Sequence, residues 1–301
     1  MDTQPRSASP ALPPVPAILV SWVQIAPVLR AHRHGEPPPA ISLDLGFTRD
    51  AAPLAETDDG IAFPSGARLT WKALAEIAET DNACFAIEGA GDRTAVRKVG
   101  GFSEEARRYV ALYPTRRAPT MLIAGAPMHR LRDADPIADT EAKMKAAAPT
   151  GTVLETCMGL GYTTALAART AQHVLAFEID PFVAETAAQN PWSRAAFEHP
   201  RIERRIGDML DAVYELDDRA FTTIVHDPPP MNLAGDLYSG AFYGELFRIT
   251  APRGRLYHHI GDLSSPAGER TVRGVMRRLG EAGFVRVAKR ADAFGVVAFR
   301  P

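Results

Sequence analysis

Cysteine is scarce in this chain. Among 301 residues there are two, Cys84 and Cys157, too few for a disulfide framework or a cysteine-based zinc site. The expected setting is therefore reducing and cytoplasmic. An excess of one charge is also missing: 34 Lys+Arg stand against 36 Asp+Glu, a formal −2, and such a chain has no general attraction for a phosphate backbone. Nucleic acid is accordingly not the expected partner. Long hydrophobic runs are absent as well. The run Ala17–Val23 follows Pro13, Pro14 and Pro16 without a Lys/Arg cluster, which fits neither a signal peptide nor a spanning helix, and no membrane partner is expected. With 46% hydrophobic and 23% charged residues, the composition suits one large core or two smaller ones and excludes disorder or collagen as whole-chain descriptions.

Proline and glycine are plentiful, 25 and 23 of them, and their positions organise the chain. Residues 1–16 hold five prolines and read as a flexible tail. Residues 17–118 read as a small α+β domain. Within it, Val20–Arg30 and Thr70–Thr80 have helical spacing, Ile41–Leu45 is extended, and Cys84–Glu88 with Ala95–Val99 flank a Gly-rich turn as a hairpin. Ser103–Val110, opened by a serine followed by acids, predicts a capped helix. This domain carries no chemical motif of its own and is expected to act as a lid. Residues 119–301 form the second domain, led in by the apolar run Met121–Met128 and a helix around Asp139–Ala148.

From residue 151 the breakers become regular punctuation. Strands are predicted at Val153–Cys157, His173–Ile179, Ile202–Ile206, Phe221–Val225, Arg255–Ile260, Phe284–Lys289 and Gly295–Phe299. Helices alternate with them at Thr163–Ala171, Pro181–Gln189, Gly240–Ile249 and Thr271–Ala282. Such alternation predicts an α/β, Rossmann-like, doubly wound and mostly parallel sheet with an antiparallel edge allowed at its end. Ligands of these sheets bind beyond the carboxyl ends of the strands.

Four strand ends carry polar residues. The first reads Glu155-Thr-Cys-Met-Gly159-Leu-Gly161-Tyr162-Thr163. Its glycines let backbone pass close to a ligand, although tight strand-to-helix turns also use glycine for packing alone. The absence of GK[ST] after them excludes a Walker A loop. The second end is Glu178, followed by Ile179; an acid about 20 residues beyond the glycine turn has the spacing that hydrogen-bonds ribose. Asp180, directly before Pro181, suits a helix N-cap better. The third end is Gly207-Asp208. The fourth is His226-Asp227 followed by Pro228-Pro229-Pro230, where consecutive prolines stiffen the chain as it leaves the sheet and hold Asp227 in place. No metal constellation is seen, since His258 and His259, adjacent on a strand, point to opposite faces.

These features together resemble the class I S-adenosylmethionine (SAM) dependent methyltransferases over about residues 120–301. The resemblance implies that Gly159 and Gly161 contact the amino-acid part of SAM, with Glu155, Tyr162 and Thr163 beside them. Glu178 and Ile179 would lie at the ribose, Gly207 and Asp208 at the adenine, and Asp227 on the reactive-site loop. Glu155 departs from the aspartate usual in the family. The stretch after Asp227 departs too: amino-group methyltransferases place an aromatic after Asp/Asn-Pro-Pro, and here a third proline follows. The segments Pro119–Arg130, Asn190–Phe197 and His226–Ile249 are further similar to an archaeal and bacterial group described as methyltransferase or spermidine-synthase-like. Azetidine-2-carboxylate synthases, which close the methionine part of SAM into a ring and release methylthioadenosine, are read as near it.

The implied activity is a SAM-dependent reaction on a small molecule. Asp227, His226 and Tyr238 are the expected catalytic residues, with Asp227 accepting a proton from an amine. Tyr162, Trp192, Tyr238, Phe242 and Tyr243 offer aromatic faces for a sulfonium, and each also suits a core position. Cyclisation of SAM is the preferred reaction. Methyl transfer to a small acceptor is the alternative, and transfer to nucleic acid comes third, since residues 101–150 are net +2 but residues 1–100 are −3.

Overall fold

A computed structural model of the protein describes residues 13–132, 134–261, 263 and 265–301. The expected flexible tail lies outside these residues as far as residue 12, and residues 13–16 have no regular structure. The chain forms two compact units, one of residues 14–140 with 182–195 and one built mainly of residues 141–181 and 196–301. Among the described residues, no helix is long and apolar enough to cross a membrane.

The first unit contains short antiparallel sheets and, among its helices, Trp22–Arg33 and Trp71–Glu79. Leu19–Val20, Phe85–Glu88 and Ala95–Lys98 make one sheet, so the expected hairpin is present with Phe85 opposite Lys98. Ala55–Thr57, Gly60–Ala62 and Arg68–Thr70 make a second. Helix Trp71–Glu79 starts where Thr70 Oγ1 accepts from the Ala73 amide and buries Leu74 and Ile77. Helix Trp22–Arg33 opens with a reciprocal capping box: the Ser21 hydroxyl accepts from Val23 while the Gln24 side chain accepts from the Ser21 amide. Both helices contribute to a core of Ile18, Val20, Ile25, Val28, Ile61, Leu74, Ile77 and Phe85.

The helix expected at Ser103–Val110 is not formed. Gly100–Ser103 and Arg108–Tyr113 pair as a hairpin, extended by Thr120–Ile123 and Ala126–Pro127 into a four-stranded antiparallel sheet. The Ser103 hydroxyl does accept from the Ala106 amide, a bond that serves a helix cap and a turn equally well. Arg107 then takes a left-handed φ of 50° and ends the turn. Beyond it, Val110, Ala111 and Leu112 are buried in succession, a continuous apolar run paired on both sides as a strand.

The second unit holds a seven-stranded sheet, whose strands in chain order are β1 Gly151–Glu155, β2 Ala171–Glu178, β3 Ile202–Ile206, β4 Phe221–His226, β5 Thr250–His259, β6 Val285–Arg290 and β7 Gly295–Phe299. Their order across the sheet is β3-β2-β1-β4-β5-β7-β6. All pairs from β3 to β5 are parallel, and β7 runs antiparallel to both neighbours. The winding moves outward from β1 to β3, then resumes on the other side of β1 with β4. That reversal leaves a crevice between the carboxyl ends of β1 and β4.

Alternation along each strand supplies both faces with apolar residues. Leu154, Leu175, Ile224, Leu256 and Val296 enter one layer, packed with Tyr243, Leu246, Val272, Val275 and Leu279 from helices Gly240–Ile249 and Pro266–Glu281. Their chain neighbours Val153, Val174, Val225, Tyr257 and Val297 enter the other, with Met144, Ala147, Ala167 and Ala168. A sheet covered on both faces is the doubly wound arrangement the sequence predicts. Replacing fully buried Leu154 or Ile224 by alanine removes about 2–5 kcal/mol.

Candidate active site

The carboxyl end of β1 is tied to both neighbouring strands. The Thr156 amide donates to Val225 O at 3.1 Å and the Met158 amide to Phe177 O at 2.7 Å. Between these anchors and helix Tyr162–Ala167, Gly159 and Gly161 take φ of 55° and 72°, a left-handed region that side chains disfavour. Gly161 is also crowded, because a Cβ there would stand 2.6 Å from that of Ala196. Glycine at 161 is therefore required by packing as well as by conformation.

Glu155, at the end of β1, is buried, and both of its oxygens accept hydroxyl bonds, from Thr163 and Thr164. Burial pushes its pKa up to about 8, against the opposing pull of the two hydroxyls. Glu178, at the end of β2, accepts from the Gly159 amide at 2.8 Å and the Asp180 amide at 3.1 Å. Burial outweighs these bonds and pushes it up to about 6. A carboxylate has about four acceptor positions, and the Ile179 amide bonds Glu178 as well, so three amides leave capacity for one ligand hydroxyl. Ile179 beside it is 56% exposed, an apolar surface at the strand end. Past β3, the Gly207 amide donates to Glu178 O and Asp208 caps the short helix Met209–Ala212 through the Leu210 amide at 2.8 Å.

At the end of β4 the polar residues separate into two groups. Asp227 reaches the accessible side: its side chain is 18% exposed, and Oδ2 accepts from Lys143 Nζ at 2.7 Å, while the Lys143 side chain is only 3% exposed. His226 and Tyr238, expected to be catalytic, lie inside. His226 is fully buried, with Nε2 3.0 Å from Leu237 O and Nδ1 2.7 Å from Thr156 Oγ1. A carbonyl only accepts, so the ring proton sits on Nε2 and Nδ1 accepts from threonine. Burial lowers its pKa to about 4, and it stays neutral. Tyr238 is buried and donates to Pro229 O at 3.0 Å, with burial raising its pKa far above the usual phenol range. Their placement is that of residues that position the proline loop rather than of groups that touch a ligand.

Two further residues neighbour this edge. Lys143 comes from helix Pro136–Ala147. Cys157 is half-buried among the acids; burial raises its thiol pKa, and the nearby Glu178, Asp227 and Glu155 push it further. Other residues considered for the site occupy packed positions. Tyr162 is buried at the helix start, and Tyr243 bonds His258 Nε2 at 2.9 Å within the core. Trp192 donates to Leu45 O and meets Phe47 edge-on in the first unit. Among the described residues, no group of three or more His, Cys, Asp or Glu side chains is arranged to hold a metal ion.

The edge therefore presents Glu155, Glu178, Asp208 and Asp227 at four successive strand ends, with Lys143 among them. Two left-handed glycines allow close approach, and the acid at the end of β2 has acceptor capacity for one ligand hydroxyl. This donor set fits a cationic nucleoside such as SAM, whose ammonium and sulfonium groups call for carboxylates nearby.

No protein-family model matches the sequence. A protein of Methanocaldococcus jannaschii named Uncharacterized protein MJ1233 is 37% identical over 267 residues, covering 87% of this chain and 89% of that one. Among solved structures, spermidine synthase from Thermotoga maritima aligns with a TM-score of 0.53 at 15% identity, over 69% of this chain and 75% of the other. A spermidine synthase complex with the transition-state analogue AdoDATO gives 0.54 at 15% identity, over 69% and 76%. The M. jannaschii protein TYW2 in complex with AdoMet aligns at 0.41 and 15% identity, over 68% and 89%. The architecture is the class I methyltransferase fold, and the chain belongs to the family of the Methanocaldococcus protein.

Proposed function

We propose that this protein is an enzyme that takes SAM as its substrate and closes the methionine moiety into azetidine-2-carboxylate, releasing methylthioadenosine. The observation that carries the reading is Asp227: a carboxylate at the end of β4, oriented by a buried ammonium, within an edge of acids suited to a cation. Glu178 would hold a ribose hydroxyl, Asp208 the adenine side, and Glu155 with the glycine turn the methionine part. Asp227 removes one proton from the substrate's ammonium. The freed amine then forms a bond to the γ-carbon while the bond from that carbon to sulfur breaks. Sulfur keeps the electron pair and leaves as a neutral thioether, and the proton passes from Asp227 to water. Holding amine and carbon in line converts this to a unimolecular displacement.

The loop after Asp227 supports a reaction without a flat acceptor. Its exposed apolar residues are Met231 and Leu233, whereas the ring of Tyr238 is buried, so an aromatic acceptor finds no stacking face there. Methyl transfer to a separate small molecule is the competing reading. Incubating the purified protein with SAM alone and identifying products by mass separates them. Methylthioadenosine with azetidine-2-carboxylate is expected; intact SAM that becomes S-adenosylhomocysteine only when an acceptor is added refutes cyclisation.

A further inference from the structure

We propose that Lys143 is the positioning residue of this site, its buried ammonium holding Asp227 ionised and aimed so that the carboxylate can take a proton from the reacting group. The inference rests on the proposed use of Asp227 as proton acceptor, and it adds a residue that no motif in the sequence marks.

The geometry is specific. Lys143 stands on helix Pro136–Ala147, near Met144 and Ala147, which pack against the face of the sheet. An ammonium that is 3% exposed is costly to place unless it is paired, and its 2.7 Å contact with Asp227 Oδ2 has the length of a charge-assisted bond. The same ammonium lies close enough to Glu155 to oppose the rise of that carboxyl's pKa, while Asp227 adds to the rise. Lys143 therefore acts on two strand ends at once. Cys157 on the glycine turn, His226 at the end of β4 and Tyr238 beyond the loop are further titratable groups facing Asp227. Burial disfavours charge on each of them, whereas Lys143 is ion-paired with Asp227. Without that cation, two carboxylates at adjacent strand ends would compete for one proton, and Asp227 would no longer be a dependable acceptor near neutral pH.

The test measures SAM binding by calorimetry and product formation across pH for wild type and for Lys143→Arg, Lys143→Gln and Lys143→Met. Lys143→Arg keeps the charge and is expected to retain turnover within about tenfold, with the acidic limb of the rate unmoved. Lys143→Met and Lys143→Gln are expected to lose about 100-fold in kcat, within the range of a proton-transfer contribution, with SAM affinity within about threefold. Their acidic limb should move up by about one pH unit or more, because a carboxylate without its cation takes up a proton more readily. If Lys143→Met does not fold, Lys143→Gln, which keeps a donor but no charge, supplies the same reading. Unchanged kcat and limb in the uncharged variants overturn the inference. So does a loss of SAM binding that matches the loss of rate with no limb shift, since Lys143 would then serve grip or fold. Wild type that binds SAM but turns it over only with an added acceptor refutes cyclisation, and the limb shift is then read in that assay. Wild type that binds no SAM overturns both.

Discussion

Two polar clusters lie along the carboxyl ends of the parallel strands, and they differ in what their groups are committed to. In the strand-end cluster, Glu178, Asp208 and Asp227 bond backbone amides or a lysine and keep part of their capacity toward the accessible edge. In the cluster beneath the proline loop, the rings of His226, Tyr238, Tyr243 and His258 meet in tilted or edge-on pairs with centroids 4.3–6.5 Å apart. Their bonds run to Thr156, Leu237 O and Pro229 O or between Tyr243 and His258. Burial keeps the imidazoles neutral and the phenols protonated. A polar group next to a site is thus not a reactive group by proximity alone. The carboxylates can exchange a proton or accept a ligand bond, whereas the inner cluster can only fix where they stand.

The largest effect expected from this contrast is at Asp227. Asp227→Asn keeps the shape and removes the proton acceptor, so turnover should fall by about 10²- to 10⁴-fold while SAM affinity changes little. Calorimetry beside a product assay checks it; affinity falling in step with rate would move Asp227 from chemistry to binding and erase the contrast. Next in size is Gly161→Ala. A left-handed φ costs an ordinary residue about 1–2 kcal/mol, and the new methyl would meet Ala196 at 2.6 Å. We expect a lower unfolding midpoint together with at least tenfold weaker SAM binding, and a variant with wild-type affinity would show that the turn serves packing alone.

Glu155 sharpens the comparison from the other side, being as buried as the inner cluster yet part of the outer one. Its folded pKa of about 8 stands above the 4.5 of an unperturbed glutamate, so the folded state binds more protons between these values. Its contribution to stability is therefore present below about 4.5 and is lost as pH rises through about 8. Thermal unfolding of ligand-free protein should show Glu155→Gln gaining on wild type across that window. A difference that is flat with pH would mean that the carboxyl ionises normally. If Glu155 meets the ligand's ammonium, added SAM should stabilise wild type more at high pH than at low.

Much of this arrangement is legible in the sequence because parallel strands buried on both faces are short apolar runs ended by glycine or an acid. Ile202–Ile206 and Gly240–Ile249 form over the predicted residues, and all four polar strand ends fall where the punctuation places them. The helix predicted at Thr163–Ala171 stops at Ala167, since Ala171 is taken into β2 by pairing with Gly151, and local helix preference yields to a tertiary ladder. Ser103 misleads because its local hydrogen bond is common to two structures. The box at Ser21 and Gln24 follows the usual spacing and is legible once Trp22 is taken as the first helical residue. Lys143 carries no such signal. It is 84 residues from Asp227, and helical periodicity says which face is apolar, not which long side chain reaches an acid across the sheet end.

The smallest effect tests the inner cluster on its own terms. Tyr238→Phe removes only the hydroxyl that donates to Pro229 O at 3.0 Å, leaving the ring in a core that it fills with Phe242 and Leu246. A single neutral hydrogen bond contributes about 0.5–1.5 kcal/mol, so stability should drop by about that amount and the fold persist. If the bond serves only packing, turnover will be unchanged. If it holds the proline loop that carries Asp227, kcat should fall about three- to tenfold with KM for SAM constant, because a displaced carboxylate meets the reacting proton less often. The three prolines already limit how far the loop can swing, which is why the expected loss is modest. A loss as large as that of Asp227→Asn would instead make the phenol a partner in the chemistry, and the division between the two clusters would fail at Tyr238.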